Sequence, residues 1–325
     1  MIVLRLLVAL CITSQASAAV PATLELEGKV PLGDVRGRID HLAIDVGRQR
    51  LYVAELGNDS VGVLDLKARK MIRTLAGFKA PQGIGYVPSS DDVYIANAGD
   101  GSVRIFHGED LTPAGQIALG EDADNVRVDD AHHRVYIGYG DGALAVINPS
   151  SRKKIADIAL PAHPESFQIE SSGSQLLVNV PDAREIAVVD AAALRQVATW
   201  PAGELRANFP LALDQSRGRA LVVFRHPATL GVYRLSDGKR LNTTDTCGDA
   251  DDVFFDGDRS RIYVSCGEGF LDVLMARDDH YERLDRIATS AGARTSFFVP
   301  QLGQFLLAVR ASGSNPASIW IFAVR

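Results

Sequence analysis

Leu51-Tyr52-Val53-Ala54 is the first of seven short apolar stretches that return along the chain at a nearly constant interval. The other six are Val93-Tyr94-Ile95-Ala96, Val135-Tyr136-Ile137-Gly138, Leu176-Leu177-Val178-Asn179, Ala220-Leu221-Val222-Val223, Ile262-Tyr263-Val264-Ser265 and Phe305-Leu306-Leu307-Ala308. Their successive spacings are 42, 42, 41, 44, 42 and 43 residues. A period of this length predicts seven copies of one supersecondary unit.

Each copy divides into four short strands, which we label a to d in chain order. In the first copy they are His41–Asp45, Arg50–Glu55, Ser60–Leu66 and Lys70–Leu75. Glycine-rich turns separate the strands, and strand a is predicted to be apolar throughout. Four antiparallel strands at this period are typical of a propeller blade. The predicted fold class is therefore all-β, a seven-bladed β-propeller.

The two ends of the chain predict how the ring closes. The seventh copy ends at Arg325, after the strand Ile319–Val324, and lacks a strand d. A spare strand, Thr23–Val30, precedes the first copy, and its pairing with Ile319–Val324 would remove an open sheet edge. The predicted blades span about residues 37–78, 79–120, 121–161, 162–202, 203–248, 249–290 and 291–325 plus strand 23–30.

The repeat unit itself resembles a known type. Residues 93–97, Val-Tyr-Ile-Ala-Asn, and residues 262–265, Ile-Tyr-Val-Ser, are each followed by a glycine-rich turn and resemble the YVTN propeller repeat. The chain resembles the YncE family, within a wider WD40-like group that includes quinoprotein amine dehydrogenase β-chain-like and NirF-like propellers. The resemblance implies a periplasmic propeller but no particular activity, because the repeat motif is structural.

The first eighteen residues have the pattern of a secretory signal peptide. Arg5 is followed by the short apolar run Leu6–Ile12 and then by the small residues Ala16-Ser17-Ala18. We expect cleavage after Ala18 and a single mature domain, residues 19–325, in the periplasm. Residues 19–325 contain no run of eighteen apolar residues, so the sequence predicts no transmembrane segment.

The net charge argues against one class of partner, and the cysteine content indicates the redox compartment. The formal net charge is −6 and no basic stripe occurs, which argues against a nucleic-acid partner. Cys247 and Cys266 remain once Cys11 is removed with the signal peptide, enough for one disulfide in an oxidising compartment. Two buried free thiols are the alternative. A closed ring without a coiled-coil segment predicts a monomer.

One face of the predicted ring carries the d-to-a connectors and the b-to-c turns, around the mouth of the central channel. Just before strand a, six blades offer an oxygen-bearing side chain and the seventh offers an arginine. These positions and their neighbours supply the candidate ligand-binding residues: Asp40, His41, Gln82, Asp124, Asn125, Glu165, Arg206, Asn208, Asp251, Asp252 and Arg294.

The oxygen-bearing side chains have three interpretations. Carboxylate and amide oxygens suit a divalent cation, calcium or magnesium, with the candidate ligands Asp124, Glu165, Asn208 and Asp251. They also suit a cationic or polyhydroxylated small molecule. In the third interpretation they accept backbone hydrogen bonds in tight loops and bind nothing.

Arginines on the same face favour a different ligand. Arg184 and Arg225 are predicted to lie in b-to-c turns, close to Arg206 and Arg294 on the rim. Guanidinium groups bind carboxylates in a bidentate manner. These arginines would therefore hold an acidic ligand, or pair with the acidic ring, the carboxylates that precede strand a around the channel mouth. His41 is a candidate for acid–base chemistry because the unperturbed pKa of histidine lies near neutrality.

The preferred hypothesis is a non-catalytic module that binds a small molecule or a periplasmic protein at the channel mouth. The first alternative is a metal-dependent hydrolase or lactonase of the gluconolactonase type, which Glu165, Asn208 and Asp251 match by residue type alone. The second, implied by the NirF-like resemblance, is a tetrapyrrole bound by His41 or His163. The sequence contains no Gly-x-Ser-x-Gly motif, and no catalytic residue is assigned.

Overall fold

The computed structural model describes residues 22–278 and 280–325, and the predicted signal peptide lies outside the described residues. The described strands form seven four-stranded antiparallel sheets, each one blade. The strands of the first four blades are β2 Leu42–Asp45, β3 Arg50–Glu55, β4 Ser60–Asp65 and β5 Lys70–Ala76; β6 Pro81–Val87, β7 Asp92–Asn97, β8 Ser102–His107 and β9 Pro113–Ala118; β10 Val126–Asp129, β11 Arg134–Tyr139, β12 Ala143–Asn148 and β13 Lys153–Ala159; β14 Phe167–Ile169, β15 Gln175–Val180, β16 Glu185–Asp190 and β17 Arg195–Pro201.

The last three blades follow the same order. Their strands are β18 Arg206–Asp214, β19 Arg219–His226, β20 Ala228–Arg234 and β21 Arg240–Asp245; β22 Ala250–Asp256, β23 Arg261–Cys266, β24 Phe270–Arg277 and β25 His280–Ala288; β26 Ser296–Val299, β27 Gln304–Val309, β28 Ser318–Val324 and β1 Leu24–Pro31. Short 3₁₀ turns occupy Leu56–Asn58 and Pro300–Leu302. Within the described residues, no helix is long and apolar enough to cross a membrane.

The predicted ring closure is confirmed. The N-terminal strand β1 pairs antiparallel with β28, so that Leu24 faces Val324 and Val30 faces Ile319. The inner strands complete the circle, because each strand a contacts the strand a of the next blade and β26 contacts β2. The first and last parts of the chain therefore share one sheet, which leaves no open edge between blades seven and one.

The core lies between blades rather than within one. Seven clusters of buried apolar side chains each join two consecutive blades. Strands b and c are covered on both faces, so Leu51, Tyr52, Val53 and Ala54 are all fully buried. This two-sided burial explains why the seven repeat stretches read as continuous apolar runs and not as alternating patterns.

A repeated turn supports the face opposite the predicted ligand site. Strand a ends on an aspartate in blades one, three, five and six, and its carboxylate accepts the backbone N–H three residues further on. In blade one, Asp45 Oδ1 accepts from the Arg48 backbone at 3.0 Å. These aspartates are structural, because each satisfies a turn N–H that would otherwise lack a partner.

Candidate functional site

The a strands of all seven blades enclose a central cavity of about 350 Å³. Its wall is mainly apolar and includes Ile84, Phe254 and Phe297. Arg127 in β10 and Gln168 in β14 also line it, so the prediction that strand a is apolar throughout is wrong at these two positions. The side chains on this wall face the cavity instead of a neighbouring blade, and a polar group is therefore tolerated.

Backbone pairing places three of the predicted acids at equivalent positions. The N–H groups of Asp40, Asp124 and Glu165 donate to the carbonyl oxygens of Ala54, Gly138 and Asn179, at 2.8, 2.9 and 2.9 Å. Each bond extends the a–b ladder of its blade by one step beyond strand a. Because the register is the same in blades one, three and four, the three acids occupy equivalent positions at the channel mouth.

A glycine in blade two allows the Asp124 loop to approach closely. A Cβ atom added to Gly83 would lie 2.0 Å from the Asp124 carbonyl oxygen and 2.9 Å from the Val126 side chain. No side chain fits in that space, so the connector of blade three packs directly on the backbone of blade two. Gly83 therefore positions Asp124 at the mouth.

Asp40, His41 and Asp124 meet at the mouth. Nε2 of His41 lies 3.8 Å from Asp40 Oδ1 and 3.6 Å from Asp124 Oδ1, both too long for a hydrogen bond. Asp40 forms an ion pair with Arg38 at 2.8 Å. Asp124 is 7% exposed, and among the described residues no donor reaches its Oδ1, which we call the open oxygen. A buried acceptor without a donor is costly, so the open oxygen is available to a ligand.

Two further acids at the mouth, Glu165 and Asp252, have raised pKa values. Burial, followed by repulsion from Asp251 and Asp40, raises the pKa of Glu165 to about 8. Burial next to Asp251 also raises the pKa of Asp252 to about 8, although the Ser296 backbone N–H donates to its Oδ2 at 2.7 Å. In the described part of the chain, no hydrogen bond or ion pair engages the Glu165 carboxyl group.

The structure shifts the titration of His41 away from the range expected from the sequence. Burial, reinforced by the positive charge of Arg127, lowers the pKa of His41 to about 4. The imidazole is therefore neutral at physiological pH and offers one donor and one acceptor nitrogen. It contributes hydrogen-bonding capacity to the mouth but does not switch charge near neutrality.

Two arginines hold the acidic loop of blade six. Arg294 Nη1 lies 2.6 and 2.8 Å from the two carboxylate oxygens of Asp249, and its Nε lies 3.0 Å from Asp251 Oδ2. Arg225 bonds to the other oxygen of Asp251 and stacks 3.9 Å above the Phe209 ring. Arg225 lies within β19 and not in a b-to-c turn, so that expectation is corrected. Both guanidinium groups are thus engaged by protein carboxylates.

Arg127 is likewise engaged inside the protein. Its Nε donates to the Phe167 carbonyl at 2.9 Å, its Nη1 to the Val126 carbonyl at 2.9 Å, and its Nη2 to Ser166 Oγ at 3.3 Å. Burial lowers the pKa of Arg127, and the charges of Asp252 and Asp124 oppose that effect. This arginine joins blades three and four and supplies a fixed positive charge beside the acids.

Not every predicted residue joins this cluster. Asn208 lies at the junction of blades four and five, where its amide donates to Asn179 Oδ1 at 3.3 Å and to the Glu185 carbonyl at 2.9 Å. Arg206 is exposed at the start of β18. Gln82 lies within β6 and Asn125 directly before β10, and both are buried. Neither lines the cavity wall, which includes only His41 and Asp252 of the predicted residues.

The four candidate metal ligands therefore divide into two groups. Asp124, Glu165 and Asp251 belong to the acidic ring, whereas the amide of Asn208 faces another blade junction. Among residues 22–278 and 280–325, no group of three or more histidine, cysteine, aspartate or glutamate side chains is arranged to hold a metal ion.

A disulfide joins Cys247 and Cys266, with the two Cα atoms 5.8 Å apart. Cys266 is the last residue of β23, and Cys247 lies in the connector that leads to β22. The next residue, Gly267, donates its N–H to the Asp249 carbonyl at 2.8 Å. The disulfide therefore anchors the loop that presents Asp249 and Asp251 to the two arginines.

Sequence reasoning missed three arginines around the cluster: Arg38, Arg127 and Arg310. Arg38 lies two residues before Asp40 in the same connector, and Arg310 follows the last residue of β27. Arg127 offered a signal that could have been used, since a charged residue interrupts an otherwise apolar strand a. Arg310 is far from Arg38 in sequence, and the two residues come together only through closure of the ring.

Comparison with known proteins supports the propeller fold but identifies no functional residue. No protein-family model and no curated protein sequence matches the chain. Among solved structures, the chain is similar to one in "Crystal Structure of Mitotic Checkpoint Complex", with a TM-score of 0.79 and 14% identity over 98% of both chains. At that identity the likeness shows the propeller fold alone. Because 1804 chains match, the fold is too widespread to indicate a function.

Proposed function

We propose that this propeller is a binding module that takes a small hydrogen-bond donor, a protonated amine or a polyhydroxylated molecule, at the channel mouth. The observation that carries the proposal is the open oxygen of Asp124. It lies in a side chain that is only 10% exposed, with the unengaged carboxyl of Glu165 close enough to raise the pKa of Asp124 further. A ligand donor would satisfy a group that the described residues leave without a partner.

The charges around the open oxygen favour a donor over an acidic ligand at this point. Arg225 and Arg294 are engaged by Asp249 and Asp251, and Arg127 is engaged by backbone carbonyls and Ser166. These three guanidinium groups therefore have little capacity left for a ligand carboxylate. The free capacity in this part of the mouth belongs to acceptors.

The cavity behind the mouth supports a small ligand with an apolar part. Its volume of about 350 Å³ lies at the lower end of the range for small-molecule sites. Most of its wall is aliphatic or aromatic, and the polar groups converge at the end where the a strands begin. Such a site would hold an apolar body in the channel and a polar head at the acids.

The two alternative functions have less support. A metal-dependent lactonase would need the side-chain oxygen of Asn208 beside Glu165 and Asp251. The NH2 group of Asn208 is held by blade four, and among the described residues no three acidic, histidine or cysteine side chains are arranged to hold a metal ion. A tetrapyrrole is larger than the cavity, although His163 lies on the same face with its Nδ1 2.6 Å from the Gly140 carbonyl.

Isothermal titration calorimetry with butylamine, benzylamine and glucose as probes tests this function. We expect at least one probe to bind, and Asp124→Asn to weaken that binding about tenfold or more, because an amide cannot ionise to pair with an ammonium group. Asp122→Asn is the matched control, since Asp122 lies in the same loop and its side chain is half exposed. Failure of every probe to bind, or equal binding by both variants, would overturn the proposal.

We further propose that the protein is exported and works in the periplasm as a YncE-like YVTN propeller. The signal-peptide pattern in residues 1–18 and the repeat stretches support this proposal. The buried disulfide also suits an oxidising compartment. Cell fractionation with mass spectrometry tests the location: the periplasmic protein should begin at Ala19 and be two hydrogens lighter than its reduced form. A cytoplasmic, uncleaved chain would overturn it.

A further inference from the structure

Arg310 is a half-buried arginine that has no hydrogen-bond or ion-pair partner among the described residues. It directly follows β27, in the b-to-c connection of blade seven, and its guanidinium reaches the loop before β26. A Cβ atom added to Gly292 in that loop would lie 3.8 Å from Nη1 of Arg310. Across the described residues, no acceptor hydrogen-bonds to this side chain and no carboxylate forms an ion pair with it.

The surroundings of Arg310 hold two more cations. Burial lowers the pKa of Arg310, and the positive charges of Arg294 and Arg38 lower it further. A hydrogen bond from Thr295 Oγ1 to the Ile39 carbonyl, at 3.3 Å, joins the two connectors that carry Arg294 and Arg38. Three guanidinium groups therefore converge at the junction of blades seven and one.

The acids nearest to Arg310 pair with other arginines. Asp40 pairs with Arg38, and Asp251 is shared between Arg225 and Arg294. Asp40 and Asp251 attract Arg310 electrostatically but do not contact it. An unpaired, partly desolvated guanidinium is unfavourable, and an incoming anion would relieve it.

We propose that Arg310, with Arg38 beside it, forms a carboxylate subsite, so that the ligand of the channel mouth is a zwitterion whose ammonium group binds at Asp124 and Glu165. This inference rests on the proposed amine-binding function and deepens it by naming the substrate class, a small amino carboxylate. The two subsites belong to one mouth, because Asp40 pairs with Arg38 at 2.8 Å and lies 3.8 Å from Nε2 of His41, which in turn lies 3.6 Å from Asp124.

A carboxylate suits this subsite better than a phosphate. Asp40, Asp249 and Asp251 surround the arginines, and they would repel a dianion more strongly than a single negative charge. The planar fork of a guanidinium also matches the two oxygens of a carboxylate. The ligand would then carry equal and opposite charges, in agreement with a mouth in which acids and arginines are interleaved.

The test compares matched probes by isothermal titration calorimetry on the full mature protein. The probes are glycine, β-alanine, 4-aminobutanoate, 5-aminopentanoate and 6-aminohexanoate, each beside the alkylamine and the alkanoate of the same length. We expect one amino carboxylate to bind about tenfold or more tighter than its alkylamine, because it gains the charged hydrogen bonds of Arg310. Arg310→Gln should remove that advantage, so that the amino carboxylate and its alkylamine bind the variant with similar affinity. Arg184→Gln, on an exposed arginine of the equivalent turn in blade four, is the control.

The possible outcomes separate the two proposals. Equal binding of amine and amino carboxylate, still sensitive to Asp124→Asn, would overturn the carboxylate subsite and leave the amine site in place. Tightest binding by an alkanoate would overturn the zwitterion. Absence of binding by all probes would overturn both proposals. A normal thermal unfolding transition of Arg310→Gln shows that its binding data refer to folded protein.

Discussion

Nε2 of His41 and Oδ1 of Asp124 face each other 3.6 Å apart at the channel mouth, in blades one and three. The gap is too wide for a hydrogen bond, and the neutral imidazole brings no charge to offset the acid. At the same mouth, burial and repulsion between the acids raise the pKa values of Glu165 and Asp252 to about 8, so these acids retain protons near neutrality. This protonation has consequences for both stability and binding.

The free energy of unfolding should fall as pH rises from 6.5 to 8. The pKa values of Glu165 and Asp252 are about 8 in the folded protein and lower in the unfolded chain, so the folded state holds more protons in this range. The loss is at most about 1.4 kcal/mol per pH unit for each group. Titration of His41 has the opposite effect: it makes the free energy of unfolding increase as pH rises, but only between about pH 4 and 6.5. Thermal unfolding across the range measures the effect.

The control for this pH dependence is the double variant Glu165→Gln/Asp252→Asn. Its unfolding temperature should change much less between pH 6.5 and 8, since the two groups no longer titrate. A wild-type protein that becomes more stable over the same interval would contradict the raised pKa values.

Amine binding should release protons and strengthen as pH rises towards 8. An ammonium ion prefers ionised acids, and the Glu165 pKa of about 8 reflects burial and the charges of Asp251 and Asp40, opposed by Arg225 and Arg38. Affinity should level off above that pH and decline once the amine itself loses its proton, near pH 10. Calorimetry in two buffers of different ionisation enthalpy counts the protons. Affinity that is constant from pH 6 to 8 would contradict this mechanism.

Arg294→Met should destabilise the protein by about 3 kcal/mol, because it leaves Asp249 and Asp251 with only Arg225 as a cationic partner. Urea unfolding measures the loss. The matched control is Arg325→Met, whose guanidinium contacts Glu25 in an exposed pair and should contribute less than about 1 kcal/mol. Equal effects of the two substitutions would show that the Arg294 pair is no more important than a surface contact.

Gly83→Ala should weaken amine binding even at temperatures where the variant is fully folded. The added Cβ would meet the Asp124 carbonyl oxygen at 2.0 Å, so the connector that carries the open oxygen must move. A displacement of this kind acts on the acceptor without changing any charge. Gly115→Ala in the outer strand β9 is the control, since its Cβ would meet only side-chain atoms at 3.7 Å or beyond. Wild-type affinity in Gly83→Ala would contradict the positioning role.

The site was only partly predictable from the sequence. Asp40, Asp124, Glu165, Asp251 and Asp252 are recognisable because each comes directly before or at the start of strand a, a position that the repeat identifies. Asn208 has the same sequence position, yet its amide bonds to blade four. The direction of a side chain at the end of a strand depends on how the next blade packs against it, and the repeat does not encode that direction.

The sequence by itself determined the seven blades, their order and the closing strand. These features follow from local patterns: the apolar runs define strands b and c, glycine-rich turns separate the strands, and the spare strand Thr23–Val30 matches the missing fourth strand. Only the tertiary structure decided which charged groups meet. Arg38, Asp124 and Arg310 are far apart in the chain, and closure of the ring brings them to one mouth, where burial raises the pKa of Asp124 and lowers that of Arg310.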